Sequence, residues 1–247
     1  MITVGEVEAA LARVFIAAEG TALRREDHKK AVEVAALLNE IGRAGAGGTF
    51  VDAAAGKAYL GLLAVELGGV RELCVIEREP RRAEACRAAA EKLARGAIID
   101  VRCGDVADAS LWPAEPRVVM ALHACGRASD AVLDAAIQAR ARWLFLVPCC
   151  YAADVPFAEP ATRIADRLGV PRQAEIRRRF IMSLIDAERT LRLEAAGYET
   201  TVVPFVPPTI TGHPLLWRAR HAEEPVRMRQ AAERLATLTR DFDAQKI

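Results

Sequence analysis

The sequence predicts an α/β fold: a seven-stranded, mostly parallel sheet with helices on both faces, closed by an antiparallel hairpin near the C-terminus. Three observations carry this expectation. From Phe50 to Val147, five short apolar runs alternate with amphipathic helical stretches, the pattern of a parallel sheet with right-handed crossovers. The first three runs end in or near an acid, at Asp52, Glu77 and Asp105. Two later runs, Thr200 to Val206 and Leu215 to Ala219, are joined by a connection short enough to favour a hairpin.

The elements follow in order. Thr3 with Glu6 makes a capping box, and Val7, Leu11 and Val14 form a helical stripe. A second helix is expected to begin near Asp27, carry Val34, Leu37, Leu38 and Ile41, and stop at Gly42. Both precede the first strand and are expected to cover the sheet or the open side of a cofactor. Gly45-Ala46-Gly47-Gly48 leads into the strand that ends Phe50-Val51-Asp52. A small-residue turn containing Ala54, Gly56 and Lys57 follows, then a helix from about Ala58 to Gly68-Gly69. Small side chains let the backbone approach a ligand, and the free N–H groups of a helix start point at it. Such a turn also follows many buried strands that bind nothing.

The second strand runs from Glu72 to Ile76 and ends at Glu77, 25 residues after Asp52. That spacing suits an acid bonded to ribose hydroxyls. An ordinary acid favoured by the following helix dipole is the other reading. Pro80 opens a helix whose buried face is expected at Ala83, Cys86, Ala90 and Leu93. After the third strand, Ile98 to Val101, Asp105 stands where a carboxylate accepts from an adenine amino group or caps a turn. The fourth, Val118 to Leu122, delivers His123-Ala124-Cys125-Gly126, and Ser129 is expected to cap the next helix. The fifth, Trp143 to Val147, empties into Pro148-Cys149-Cys150-Tyr151. Ligands bind outside the carboxyl ends of such strands, so Asp52, Glu77, Asp105, His123 and Cys149 are expected on one rim.

Beyond residue 152 a helix is expected near Ala161 to Leu168. A longer one follows from Ile181 to Ala196, with Leu184, Ala187, Leu191 and Ala195 on one face. Arg177-Arg178-Arg179 is read as a solvated basic face. The stretch Pro225 to Phe242 reads as an amphipathic helix with a stripe of Met228, Leu235, Leu238 and Phe242, packed on the domain or on a partner.

The net charge of +1 supplies no general attraction for nucleic acid, so such a partner needs a local patch. No apolar run approaches the roughly 20 residues that cross a bilayer, and no membrane partner is expected. Six cysteines and a start without a signal-peptide pattern point to reduced thiols and a cytoplasmic location.

Five parallel strands, a late hairpin and acids at the first three tips resemble the class I S-adenosylmethionine-dependent methyltransferases, with their Rossmann-like seven-stranded sheet. A narrower resemblance lies in Leu122-His123-Ala124-Cys125-Gly126 with Ser129-Asp130, in Pro148-Cys149-Cys150-Tyr151, and in the stretch from Asp186 to Glu194. These segments are similar to the family of tRNA acceptor-stem 2′-O-methyltransferases and the methyltransferase domain of glutathione-S-transferase-C-terminal-domain-containing proteins. Asp52, Gly56, Lys57, His123, Cys125, Gly126, Cys149 and Cys150 fall on matching positions, whereas Ala54 and Ala58 stand where that family has glycines. The resemblance spans roughly Asp27 to Arg220. With the periodicity at either end, the chain divides into N-terminal helices over residues 1–44, an expected methyltransferase domain over 45–220 and a C-terminal helix over 221–247.

The resemblance also implies S-adenosyl-L-methionine as cofactor. Asp52, Ala54, Gly56, Tyr59, Glu77, Arg78, Asp105, Val106, Leu122 and His123 are then the candidates to hold it. A hydroxyl acceptor requires a base, and His123 is the candidate because its ordinary pKa lies near neutrality. A structural His bonded to a loop is the alternative. Tyr151 is the second candidate catalytic group, to orient the acceptor or stack on a base, and packing is its alternative. Lys57, Cys149, Cys150 and Tyr151 are the expected acceptor-side residues, and no metal is expected. The resemblance favours RNA as acceptor. A small metabolite, a protein side chain, or a non-catalytic RNA- or protein-binding role on the same fold are the other readings.

Overall fold

Among the residues described by the computed structural model, which are 1–16, 22–93, 96–149, 151 and 154–240, seven strands form one sheet. They are β1 (Thr49–Ala53), β2 (Glu72–Glu77), β3 (Ile98–Cys103), β4 (Val118–Ala124), β5 (Trp143–Pro148), β6 (Tyr198–Pro204) and β7 (Leu215–His221), in the spatial order β3-β2-β1-β4-β5-β7-β6. The first five are parallel. β7 runs antiparallel between β5 and β6, so the hairpin closes the sheet as expected, with its later strand inserted next to β5. The strand order reverses between β1 and β4, which opens a crevice at their carboxyl ends.

Alternation along the strands divides the core in two. Phe50, Val118, Met120 and Phe145 face one side, where α1 (Val4–Leu11), α2 (Arg25–Ile41), α3 (Tyr59–Gly68) and α4 (Pro80–Ala90) supply the cover. Val51, Val119, Leu144 and Leu146 face the other, beneath α5 (Arg127–Gln138) and α7 (Ala174–Ala195). The α1 capping box forms as read from Thr3 and Glu6. A π-helical turn, Ala12–Ile16, extends α1. Asn39 on α2 exchanges two 2.8 Å bonds with the backbone of Ile2, and Glu40 pairs with Arg218 of β7 at 2.8 Å.

Four expectations are corrected. Ser129 does not cap α5: Gly126 precedes the helix at φ +57°, and Ser129, inside the first turn, donates to the Ala124 carbonyl. α6 (Ala158–Arg167) begins three residues earlier than the apolar pattern suggests. α7 begins at Ala174 rather than Ile181, so the three arginines lie in its first turns. Arg177 is tied to Asp166 at 2.8 Å, while Arg178 and Arg179 share Glu175. The buried face of α7 is Ile185, Arg189 and Leu193, and Ala187 is exposed. The cause is electrostatic. Arg189, fully buried, donates to both carboxylate oxygens of Asp130 on α5 at 2.7 and 3.2 Å, and Arg192 adds a 2.6 Å bond to the same group. A buried guanidinium persists only when paired, so this clamp sets the rotation of the helix. α8 (Pro225–Arg240) lies on α7, with Leu238 against the cluster around Ile185. Phe242 lies outside the described residues. No described helix is long and apolar enough to cross a membrane.

Candidate active site

The loop after β1 carries three left-handed residues, Ala54 (φ +55°), Gly56 (φ +61°) and Ala58 (φ +53°). Two of them carry a Cβ, so the turn keeps a glycine-type backbone with alanines in it. That conformation costs an L-residue about 1–2 kcal/mol. Glu77 at the tip of β2 holds the turn. One of its oxygens accepts from the Gly56 amide at 2.7 Å and the other from the Glu79 amide at 2.9 Å.

Asp52 lies beneath the loop, 2% exposed, and accepts from the Gly61 amide at 2.8 Å. A Cβ on Gly61 would stand 2.8 Å from the Asp52 side chain, so glycine is what lets α3 approach β1. Burial pushes the Asp52 carboxyl up to about 7. The Gly61 N–H opposes that shift and the charge of Glu77 adds to it.

At the end of β4 the register shifts between Leu122 and Ala124, and His123 adopts φ +62°. A bulge of this kind re-aims a side chain, and the left-handed backbone costs about 1–3 kcal/mol at a non-glycine residue. The His123 Nε2 lies 2.8 Å from a carboxylate oxygen of Glu33 on α2. Nδ1 is buried and makes no hydrogen bond among the described residues. The His123 carbonyl accepts from the thiols of Cys125 at 3.4 Å and Cys149 at 3.7 Å, which places both cysteines at the base of this bulge.

A cavity of about 430 Å³ opens at the carboxyl ends of β1 to β4. That volume lies within the range of small-molecule sites. Six of the expected cofactor residues line it: Ala54, Glu77, Arg78, Asp105, Val106 and His123. Asp52, Gly56, Tyr59 and Leu122 do not. Asp52 and Gly56 shape the loop from beneath and within, and Tyr59 packs edge-to-face on Phe15 with centroids 4.5 Å apart. Lys57 is exposed, its Nζ 5.9 Å from the centre of the Tyr59 ring. The Asp105 carboxylate accepts from the Ala107 amide at 2.9 Å, so it caps its own turn at the cavity wall. Cys150 lies outside the described residues.

Tyr151 lies elsewhere. It is absent from this cavity and lines a separate one of about 320 Å³ with Arg177 and Arg178. Its hydroxyl donates to Asp186 at 2.7 Å, and its ring lies 5.4 Å from the Arg189 guanidinium. Burial first, then the Asp186 carboxylate, pushes the phenol above its ordinary range. This placement matches the packing alternative for Tyr151, as a partner of the α5–α7 clamp.

The sequence reading missed Glu33, Arg82, Arg127 and Asp154. Glu33 left a trace. It stands four residues before Leu37 and eight before Ile41, hence on the apolar stripe of α2, where a carboxylate needs a buried partner. The other three are exposed, Arg82 and Arg127 in the first turns of α4 and α5 and Asp154 on a turn, with no periodic signal, and only the fold brings them to the cavity.

The profile of a methyltransferase domain family matches residues 26–153, more than half of the chain and every cavity-lining residue named above except Asp154. The chain belongs to this family. No curated protein is similar enough in sequence to count as a match. Among solved structures, a methyltransferase of Podospora anserina with bound SAH aligns at 11% identity and a TM-score of 0.50, over 88% of this chain and 87% of its own. Trm1 of Pyrococcus horikoshii in complex with S-adenosyl-L-methionine aligns at 12% identity and 0.50, over 85% of this chain and 58% of its own. At these identities the likeness is one of fold, and it agrees with the seven-stranded sheet of this methyltransferase domain.

Proposed function

We propose that this methyltransferase domain binds S-adenosyl-L-methionine in the 430 Å³ cavity and methylates a hydroxyl acceptor, with His123 as the base. The observation that carries the reading is the Glu77 carboxylate. It walls the cavity while both oxygens also accept the amides that fix the β1 loop and the β2–α4 turn, so one group joins loop geometry to ligand binding. The residues fit the cofactor. Each oxygen of Glu77 keeps a further lone pair for a ribose hydroxyl. Asp105 and Val106 supply the adenine side. Nothing lies within 4 Å of where a Gly56 Cβ would stand, so the loop leaves space beside it.

When bound, the sulfonium supplies an electrophilic methyl group. The chain's part is to align the acceptor oxygen, exclude water and take the proton. His123 would take the proton of the acceptor hydroxyl at Nδ1.

RNA is the acceptor class we favour, on the resemblance of the His123 and Cys149 segments. Arg78 and Arg127 support an anionic acceptor, since both line the cavity and neither side chain makes an ion pair among the described residues. An anionic metabolite is the second reading, favoured by the net charge of +1.

Labelled cofactor tests the reading directly. Glu77→Ala is expected to weaken binding by tenfold or more, about 1.4 kcal/mol, through loss of charge-assisted bonds. Incubation with fractionated extract then shows whether label enters RNA, protein or small molecules. Absence of binding at millimolar cofactor refutes the proposal.

A further inference from the structure

We infer that Glu33, a carboxylate supplied by α2 and distant in sequence from the strand tips, is a positioning residue of the transfer site: it holds His123 as the Nε2–H tautomer and so reserves Nδ1 as the proton acceptor. The inference rests on the reading of His123 as base.

The geometry is specific. Glu33 is 4% exposed, its Oε1 lies 2.8 Å from the His123 Nε2, and its Oε2 lies 2.6 Å from the Lys30 Nζ. Burial alone raises a carboxyl, but here the hydrogen bonds from His123 and Lys30 outweigh it and the net direction is down, so Glu33 is ionised at neutral pH. An ionised carboxylate only accepts hydrogen bonds. The proton between the two groups therefore sits on Nε2, and a neutral imidazole then carries its free lone pair on Nδ1. That is the atom left buried and unpartnered among the described residues.

A neutral base whose other nitrogen is held by a carboxylate gains as it becomes imidazolium, because the positive charge appears beside a fixed negative one. Among the described residues, the remaining groups around the ring do not bond to it. Cys125 and Cys149 bond to the His123 carbonyl, not the imidazole. Glu77, Asp105, Asp154 and Arg127 share the cavity wall, and His213 approaches from the β6–β7 connection, where burial first and His123 second hold its pKa below the ordinary value. Glu33 is thus the group placed to set the tautomer, with Lys30 setting Glu33. A helix that precedes the first strand by sequence becomes part of the reaction centre.

Glu33→Gln tests this, since glutamine keeps the shape and a hydrogen-bonding end while removing the charge. The protein has four histidines, so ¹⁵N-histidine spectra can be assigned against His123→Ala. In the wild type we expect Nε2 to show the shift of a protonated nitrogen and Nδ1 that of a bare one. In Glu33→Gln the two should mix, because an amide end no longer holds the proton on Nε2. Turnover should fall about tenfold or more while cofactor affinity holds, and Lys30→Met should shift the spectra in the same direction by less. An unchanged tautomer in Glu33→Gln, with His123→Ala inactive, overturns the inference alone. Full activity of His123→Ala overturns the base reading and this inference with it. Loss of cofactor binding in Glu33→Gln shows that the residue merely anchors α2, which also overturns it.

Discussion

Replacing Asp52 with asparagine removes a buried acid while keeping an oxygen for the Gly61 amide. The carboxyl has an ordinary value of 3.8 and is raised by burial to about 7 in the folded chain. Between those values the folded chain holds a proton that the unfolded chain has released. Stability then falls as pH rises, by about 1.4 kcal/mol per unit. Below 3.8 both states are protonated, and above about 7 both are ionised, so the slope is confined to that window. From pH 5 to pH 7 the contribution of Asp52 should therefore decline by about 2 kcal/mol. Asparagine does not titrate. Urea unfolding at pH 5, 6, 7 and 8 without cofactor should show the wild type losing that amount relative to Asp52→Asn, with the variant the more stable at pH 8. Cofactor affinity should be unchanged in the variant, because Asp52 lies under the loop rather than on the cavity. Parallel stability profiles for the two proteins would refute the reasoning.

Asp130→Ala strands Arg189 and Arg192 without their shared acceptor, and the loss expected in chemical denaturation is about 3–5 kcal/mol; a loss below about 1 kcal/mol would show that the clamp does not hold α7. Ala54→Gly relieves a left-handed alanine at φ +55°, worth about 1–2 kcal/mol, against about 0.4–1 kcal/mol of added unfolded-chain entropy. Thermal melts should therefore show a small gain in stability, and a clear loss would mean that the methyl group packs usefully against the cavity.

The local features of this fold were legible because they rest on neighbours in sequence. The Thr3–Glu6 box, the five parallel strands and the hairpin all follow from periodicity and capping chemistry. The three acids at the strand tips look alike in sequence, and only their surroundings separate them: Asp52 is sealed under α3, Glu77 bridges two turns at the cavity wall, and Asp105 stays exposed on its own turn. Arg189 reads as a surface residue until Asp130, 59 positions earlier, is seen beside it. The Glu33–His123 contact spans 90 positions, and Tyr151 is drawn to Asp186 rather than the rim. Such pairings depend on tertiary placement, which a pattern of apolar residues does not encode.

The insertion of β7 between β5 and β6 has a consequence for the order in which the chain leaves the ribosome. Leu144, Phe145 and Leu146 of β5 are fully covered in the finished sheet, and their outer neighbour is β7. The stretch from 149 to 214 must be translated before that neighbour exists, which takes roughly 3–13 s at about 5–20 residues per second. Throughout that interval the nascent protein carries an apolar strand edge with no partner of its own, the kind of surface that recruits other chains. The Glu40–Arg218 pair, which ties α2 to β7, likewise forms only after that strand has been made.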